Sequence, residues 1–272
     1  MIRLYDIRYL RIGTRDLDAA IAFATRIVGL QLVAREGKAA YFRSDKVGAR
    51  GDTRDHTLVY FEGDPADHTS AFDILDRDDF DRIGAELENA GHPVHYGTRE
   101  ECEQRRVKQF LAFRDPTGNK HEVVVRPYHS GPRYFPSRDA GITHFSHIGL
   151  RTSDAPLLRV NTIHHTLALF PSPYPGVQHI NHQVEDFDDI MRSYYFLREQ
   201  GVKIVFGPGR HPSSSACFLY FEGHDKMVYE YSVGVKHIQP GEEASYRPRQ
   251  FPFAPESFCM WGSKPDIPEF RS

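Results

Sequence analysis

Cysteine is scarce in this chain of 272 residues: there are three, Cys102, Cys217 and Cys259, in unrelated contexts. That excludes a disulfide framework and a Cys-x-x-Cys zinc site. Basic blocks are missing too. With a net charge of −3 and no Arg-rich stripe, nothing asks for nucleic acid as a partner. No apolar run reaches membrane-spanning length. The opening "MIRLYDIRYLRIG" alternates charged and apolar residues, as a strand does and a signal peptide does not. The expectation is a soluble cytoplasmic protein with no membrane contact. Hydrophobic residues at 40% and charged residues at 26% give an ordinary globular balance with ample core. What stands out is fifteen histidines. Imidazole is the commonest transition-metal ligand, so they raise the prospect of a metal site without fixing one.

The chain repeats itself. "FLAFRDPTGNKHE" (110–122) matches "FLYFEGHDKMVYE" (218–230), "DHTLVYF" (55–61) matches "HHTLALF" (164–170), and "RYLRIGTRD" (8–16) matches "HFSHIGLRTSD" (144–154). Three matches in one order indicate a duplicated domain of about 110–135 residues. "RPYHSGPRYFPSRDAG" (126–141) reads as the connection. Each half breaks into smaller units of strand, amphipathic helix and further strands. Helices are expected in "DLDAAIAFATRIVG", in "DFDRIGAELENAG" and in "DFDDIMRSYYFLREQG", stopped by Gly29, Gly91 and Gly201. The fold class is α+β: paired βαβββ modules, each pair curving into a sheet with an open concave face that suits a ligand. One module is too short. Arg11 to His56 spans 45 residues, but the equivalent step from His147 to His165 spans 18. Either the third module is trimmed, or an internal segment of about that size is absent from the sequence.

Strand parity sorts the histidines. His179 and His182 lie three apart and His164 and His165 are adjacent, so within a strand only one of each pair can enter the concave face. Glu230 and Val228 share a face opposite Tyr229 and Tyr231. Singly, each histidine is more often a hydrogen-bonded strand residue than a ligand, and Glu230 more often a solvated carboxylate. The repeat changes that balance. His147 aligns with Arg11, His179 with about Thr69, and Glu230 with Glu122, so only the second half offers two histidines and a glutamate in matched positions. Two imidazoles and a carboxylate, with positions left open, form the facial triad of non-haem Fe(II) oxygen-activating enzymes.

"FSHIGL", "HHTLALF", "VQHINHQVED" and "GRHPSSSACFLYFEGHDKMVYE" resemble the C-terminal domain of type I extradiol ring-cleavage dioxygenases. This family of the vicinal oxygen chelate superfamily includes catechol 2,3-dioxygenase and 2,3-dihydroxybiphenyl 1,2-dioxygenase. The resemblance covers both halves in architecture, while its motifs lie in residues 144–231. It implies that His147, His179 and Glu230 hold Fe(II), or Mn(II), and that His165, His211 and Tyr220 are catalytic residues around the metal. It further implies a catecholic substrate, O₂ as co-substrate, a ring-opened semialdehyde or keto acid as product, and a homo-oligomer. His164 and His182 are left as residues of the other face. The implied domains are a non-catalytic one over 1–130, a linker over 131–141, a catalytic one over 142–236 and an extended tail over 237–272, read as a surface wrap or subunit contact and not as a site. The sequence departs from the family at the turn before Glu230, "EGHDKM" where Asp-Pro-x-Gly is usual, and at the short third module. Two other readings share the fold: a glyoxalase-type metal-dependent isomerase or lyase, and a non-enzymatic binder of aromatic ligands.

Overall fold

The computed structural model describes residues 3–45, 54–131, 134–153 and 156–270. Two residues of the expected linker, 132 and 133, therefore lie outside the described residues. Eight strands form the first sheet: β1 (Leu4–Thr14), β2 (Gln31–Glu36), β3 (Ala39–Arg43), β4 (Leu58–Glu62), β5 (His68–Ile74), β6 (His95–Tyr96), β7 (Val107–Arg114) and β8 (Lys120–Pro127). Their order is β2-β3-β4-β1-β5-β8-β7-β6. Seven form the second: β9 (Ile142–Thr152), β10 (Leu157–Leu158), β11 (Leu167–Pro171), β12 (Gly176–Val184), β13 (Ile204–Arg210), β14 (Cys217–Glu222) and β15 (Val228–Val233), ordered β10-β11-β9-β12-β15-β14-β13. One plan is used twice. The first strand of each sheet runs antiparallel to the first strand of its second module, β1 with β5 and β9 with β12. That strand in turn runs parallel to the last, β5 with β8 and β12 with β15. The strands β9, β12 and β15 are thus neighbours at the centre of the second sheet, and each brings one residue of the expected triad.

The helices start and stop where their side chains dictate. Asp16 accepts a hydrogen bond from the Ala19 N–H and opens α1 (Leu17–Ala22), which continues as a wider π turn over Phe23–Val28. Gly29 then turns the chain out at φ 84°. The helix α2 (Asp78–Asn89) is followed by Gly91 at φ 86°. In the first half of the chain, two elements were not foreseen. The strand β2 is a half-exposed edge with no clean alternation. The helix α3 (Arg99–Arg105) buries a single side chain, Cys102, so it has no apolar stripe to read. Its capping box, Thr98 with Glu101, was nevertheless present in the sequence. The helix α4 (Phe187–Glu199) opens with Asp186 and Asp189 in a reciprocal box, on the boundaries expected.

The third module is trimmed in this fold. Between β9 and β11 it has the two-residue β10 and no helix among the described residues; residues 154 and 155 of that stretch lie outside them. The face of the second sheet opposite the triad is nonetheless covered. Ala20, Ala24 and Val28 of the first module share one core with Phe145, Ile148 and Leu150 of β9 and Tyr229 and Tyr231 of β15. The Tyr231 hydroxyl donates to the Val28 carbonyl at 2.7 Å, and the Tyr229 and Tyr60 hydroxyls bond to each other across the sheets.

His182 faces this core, against Phe145, as parity required. Burial pushes the rings of His182 and, in the first sheet, His56 down to about 4. An unfolded histidine titrates near about 6.5. Between those values the unfolded chain binds protons that the folded chain refuses, so stability falls as pH drops through that window. The urea midpoint should therefore decline from about pH 6.5 towards about pH 4 and hold steady above it. A midpoint that stays flat across the window contradicts this.

Candidate metal centre

His147 on β9, His179 on β12 and Glu230 on β15 are 3%, 1% and 1% exposed, and they meet. The His147 and His179 Nε2 atoms are 3.1 Å apart, and Glu230 Oε2 lies 3.2 Å from the first and 3.3 Å from the second. Among the described residues Oε2 has no hydrogen-bond partner of acceptable geometry, although it is buried. An unsatisfied buried carboxylate oxygen is costly unless something else balances it. Three donor atoms converging on one point, of which this oxygen is one, fit a transition-metal ion. Burial lowers His179, against the opposing pull of Glu230, so that ring is neutral and carries a lone pair.

Neighbours decide where that lone pair points. His179 Nδ1 is bonded to the side-chain oxygen of Gln178. An amide oxygen only accepts, so Nδ1 carries the hydrogen and Nε2 faces the centre unprotonated. Gly149 stands across from His179 in the register between β9 and β12. A Cβ added at Gly149 would lie 2.4 Å from His179 Nδ1. The position therefore accepts only glycine while His179 keeps this orientation. Gly149→Ala should weaken metal binding by about 10- to 100-fold, as loss of a ligand's support does. Titration of metal-free protein with Fe(II) measures this, and an unchanged affinity contradicts it.

The three residues expected around the metal are gathered here. The His165 ring centre lies 4.2 Å from that of His147. Burial, reinforced by His147 and His164, pushes His165 well below its ordinary value. The Tyr220 ring stands edge-on to His179 at 5.2 Å, and its hydroxyl is 3.1 Å from His211 Nε2. His211 Nδ1 donates to the Phe258 carbonyl at 2.8 Å, which leaves Nε2 to accept from Tyr220.

Two expectations need correction. Parity does not apply to His164 and His165, because both precede β11 in an irregular bend. His164 is not turned to another face: its Nδ1 lies 3.1 Å from His165 Nδ1, and both rings are buried. The tail, expected as a surface wrap or subunit contact and not as a site, borders the site. Cys259, Ile267 and Phe270 pack in one cluster with Phe170, Phe206 and Tyr220, and the Phe170 ring lies tilted against His179, 5.8 Å between centres. Glu269 pairs with Arg151, fastening the end of the tail to β9.

The duplication and this centre can be set against known proteins. The family model described as "Glyoxalase/Bleomycin resistance protein/Dioxygenase superfamily" matches residues 6–123 and 147–231, most of the chain. The chain belongs to that superfamily. Its two matched stretches coincide with the two sheets, and the second contains all six residues discussed above. The 1,2-dihydroxynaphthalene dioxygenase of Sphingobium xenophagum is 22% identical over 282 residues, covering 89% of this chain and 93% of its own. An iron-dependent extradiol dioxygenase of Rhodococcus jostii (strain RHA1) is 25% identical over 288 residues, covering 86% and 90%. Among solved structures, the halotolerant catechol dioxygenase BphC superposes with a TM-score of 0.83 at 22% identity, over 98% of this chain and 97% of that one. No helix among the described residues is long and apolar enough to cross a membrane.

Within this superfamily fold, Gly149 and Gln178 are the site residues that sequence reasoning passed over. The Gly149 signal was present: "IG" recurs at Ile12-Gly13 and Ile148-Gly149. Gln178 offered none, since its role depends on the ring beside it. The unusual turn before Glu230 has a positive φ at Asp225 and Lys226. Asp225 accepts from the Thr14 hydroxyl at 2.8 Å, tying the second sheet to the first while Glu230 still arrives on β15.

Proposed function

We propose that this protein is an extradiol dioxygenase that opens a catechol-type ring with O₂ at Fe(II) held by His147, His179 and Glu230. The observation that carries the reading is the company of the triad: His165, the paired His211 and Tyr220, and the three ligand residues surround one buried point. The names of the relatives agree with it. In this reading residues 1–130 are a non-catalytic domain and 142–236 carry the reaction.

When bound, Fe(II) would supply a Lewis-acidic centre with open positions for the two catechol oxygens and for O₂. The protein supplies the rest. His165 is neutral and its Nδ1 is occupied by His164, so Nε2 is the atom that takes a proton from the substrate hydroxyl and returns one later. The Tyr220 hydroxyl donates to His211 Nε2, which leaves its oxygen lone pairs to receive a substrate hydroxyl and orient the ring. Phe170 and the tail residue Phe270, 4.9 Å apart, keep that side of the site dry.

The test is O₂ uptake by the Fe(II)-loaded protein with a panel of catechols, read together with a yellow ring-fission product. Uptake matched to product supports the reading. Turnover of any panel member without O₂, or of a hemithioacetal instead, points to metal-dependent isomerase chemistry and overturns it.

A further inference from the structure

The first sheet has a concave face of its own, and the duplication allows comparison position by position. Glu122 on β8 corresponds to Glu230 and is as deeply buried, at 1% exposure each. Tyr9, and not Arg11 as the sequence alignment has it, stands in place of His147, because Tyr9 faces Ala71 as His147 faces Asn181; Arg11 takes the place of Gly149. Glu122 pairs with Ala71 and Glu230 with Asn181, so Thr69, two residues back, stands in place of His179. The charge of Glu122 is met by protein instead of metal: Arg105 Nε lies 2.7 Å from Oε1, and the Tyr9 hydroxyl donates to Oε2 at 2.6 Å. A further exchange opens space. Tyr220, opposite Glu230 in its hairpin, corresponds to Ala112, opposite Glu122. The result is a cavity of about 680 Å³ bordered by Arg11, Thr69, Ala112 and Glu122 together with the rings of Phe61 and Phe110. Small-molecule sites span roughly 300–1,000 Å³.

The charges of this cavity are not balanced. Its carboxylates are all engaged: Glu122 by Arg105, Asp67 by Lys120 and Glu101 by His95. Arg11 has no carboxylate partner among the described residues. Its Nη1 reaches the Gln104 carbonyl at 3.3 Å, and its guanidinium lies over the Phe61 ring, 5.6 Å from the centroid. Arg114, also on the lining, donates only to the Gly118 carbonyl, at 2.6 Å. A half-buried guanidinium with donors to spare, beside aromatic rings, suits a planar carboxylate attached to a ring.

We propose that this cavity is a second, metal-free ligand site that binds a small aromatic carboxylate, the carboxylate on Arg11 and the ring against Phe61. Arg105 holds Glu122 away from the ligand and does in charge what the metal does in the second sheet. Ala112 leaves the room that Tyr220 fills there.

Calorimetric titration of the full chain with benzoate tests this. Binding is expected in the millimolar range or tighter. Arg11→Ala should weaken it by about 10- to 100-fold, the cost of losing hydrogen bonds from a charged donor. Ala112→Tyr, which installs the residue of the second sheet, should abolish it. Turnover at the metal centre should be unchanged in both variants, and a cooperative melt shows that each is folded. If Ala112→Tyr does not fold, Arg11→Ala decides alone. No binding up to about 10 mM benzoate, or binding that survives Arg11→Ala, overturns the proposal. So does binding that catechol displaces, because the ligand then sits at the metal centre.

Discussion

His179→Ala is expected to lose iron and turnover together. His179 contributes one of three donor atoms at a fully buried point, and its Nε2 lies within 3.3 Å of the other two. Alanine leaves two donors, too few to hold Fe(II) against the hydrated ion at ordinary concentrations. The loss should exceed the roughly 100-fold that follows when a ligand merely loses its supporting hydrogen bond. Fold should survive, because the ring is not a pillar of the main core: its contacts are to Phe170, Tyr220 and His147 within the site. Metal content after dialysis, O₂ uptake and a thermal melt separate these quantities. A folded, iron-loaded and fully active variant would remove His179 from the site.

His165→Gln is expected to keep its iron and lose about 10²- to 10⁴-fold in turnover, the usual worth of a positioned acid–base group. Glutamine preserves a polar group of similar reach and can still hydrogen-bond His164. It cannot accept and return a proton near neutral pH. The His165 ring touches that of His147 but supplies none of the converging donor atoms, so metal affinity should change little. Equal loss of iron and activity would make His165 a support for the metal instead. Unchanged turnover would take it out of the reaction altogether.

How far the sequence could be read depended on whether a residue acts through its own strand. His147, His179 and Glu230 do, and the internal repeat singled them out because the first half aligns Arg11, about Thr69 and Glu122 with them; in the folded register the partner of His147 is Tyr9, two residues from Arg11. Parity turned His182 to the face opposite His179 for the same reason, where a register shift in β9 brings Phe145 against it. It misplaced His164, whose backbone is not a strand. The helix α3 escaped because seven residues with one buried side chain have no periodicity to detect. Gly149 and Gln178 matter only through the ring they confine, and the tail only through where it lands. Three-dimensional neighbours of that kind leave no spacing in a sequence. The short third module was legible as a deficit, whereas the core that Ala20, Ala24 and Val28 share with β9 and β15 required the packed structure.

Mass spectrometry of the product formed under isotopically labelled dioxygen is the most direct test of the account. Fe(II)-loaded protein given a catechol should yield a ring-opened product carrying label from O₂ in its new carboxylate, and His179→Ala should yield none. A product with no label, or one formed equally well in the absence of O₂, would contradict the assignment of His147, His179 and Glu230 to an oxygen-activating centre.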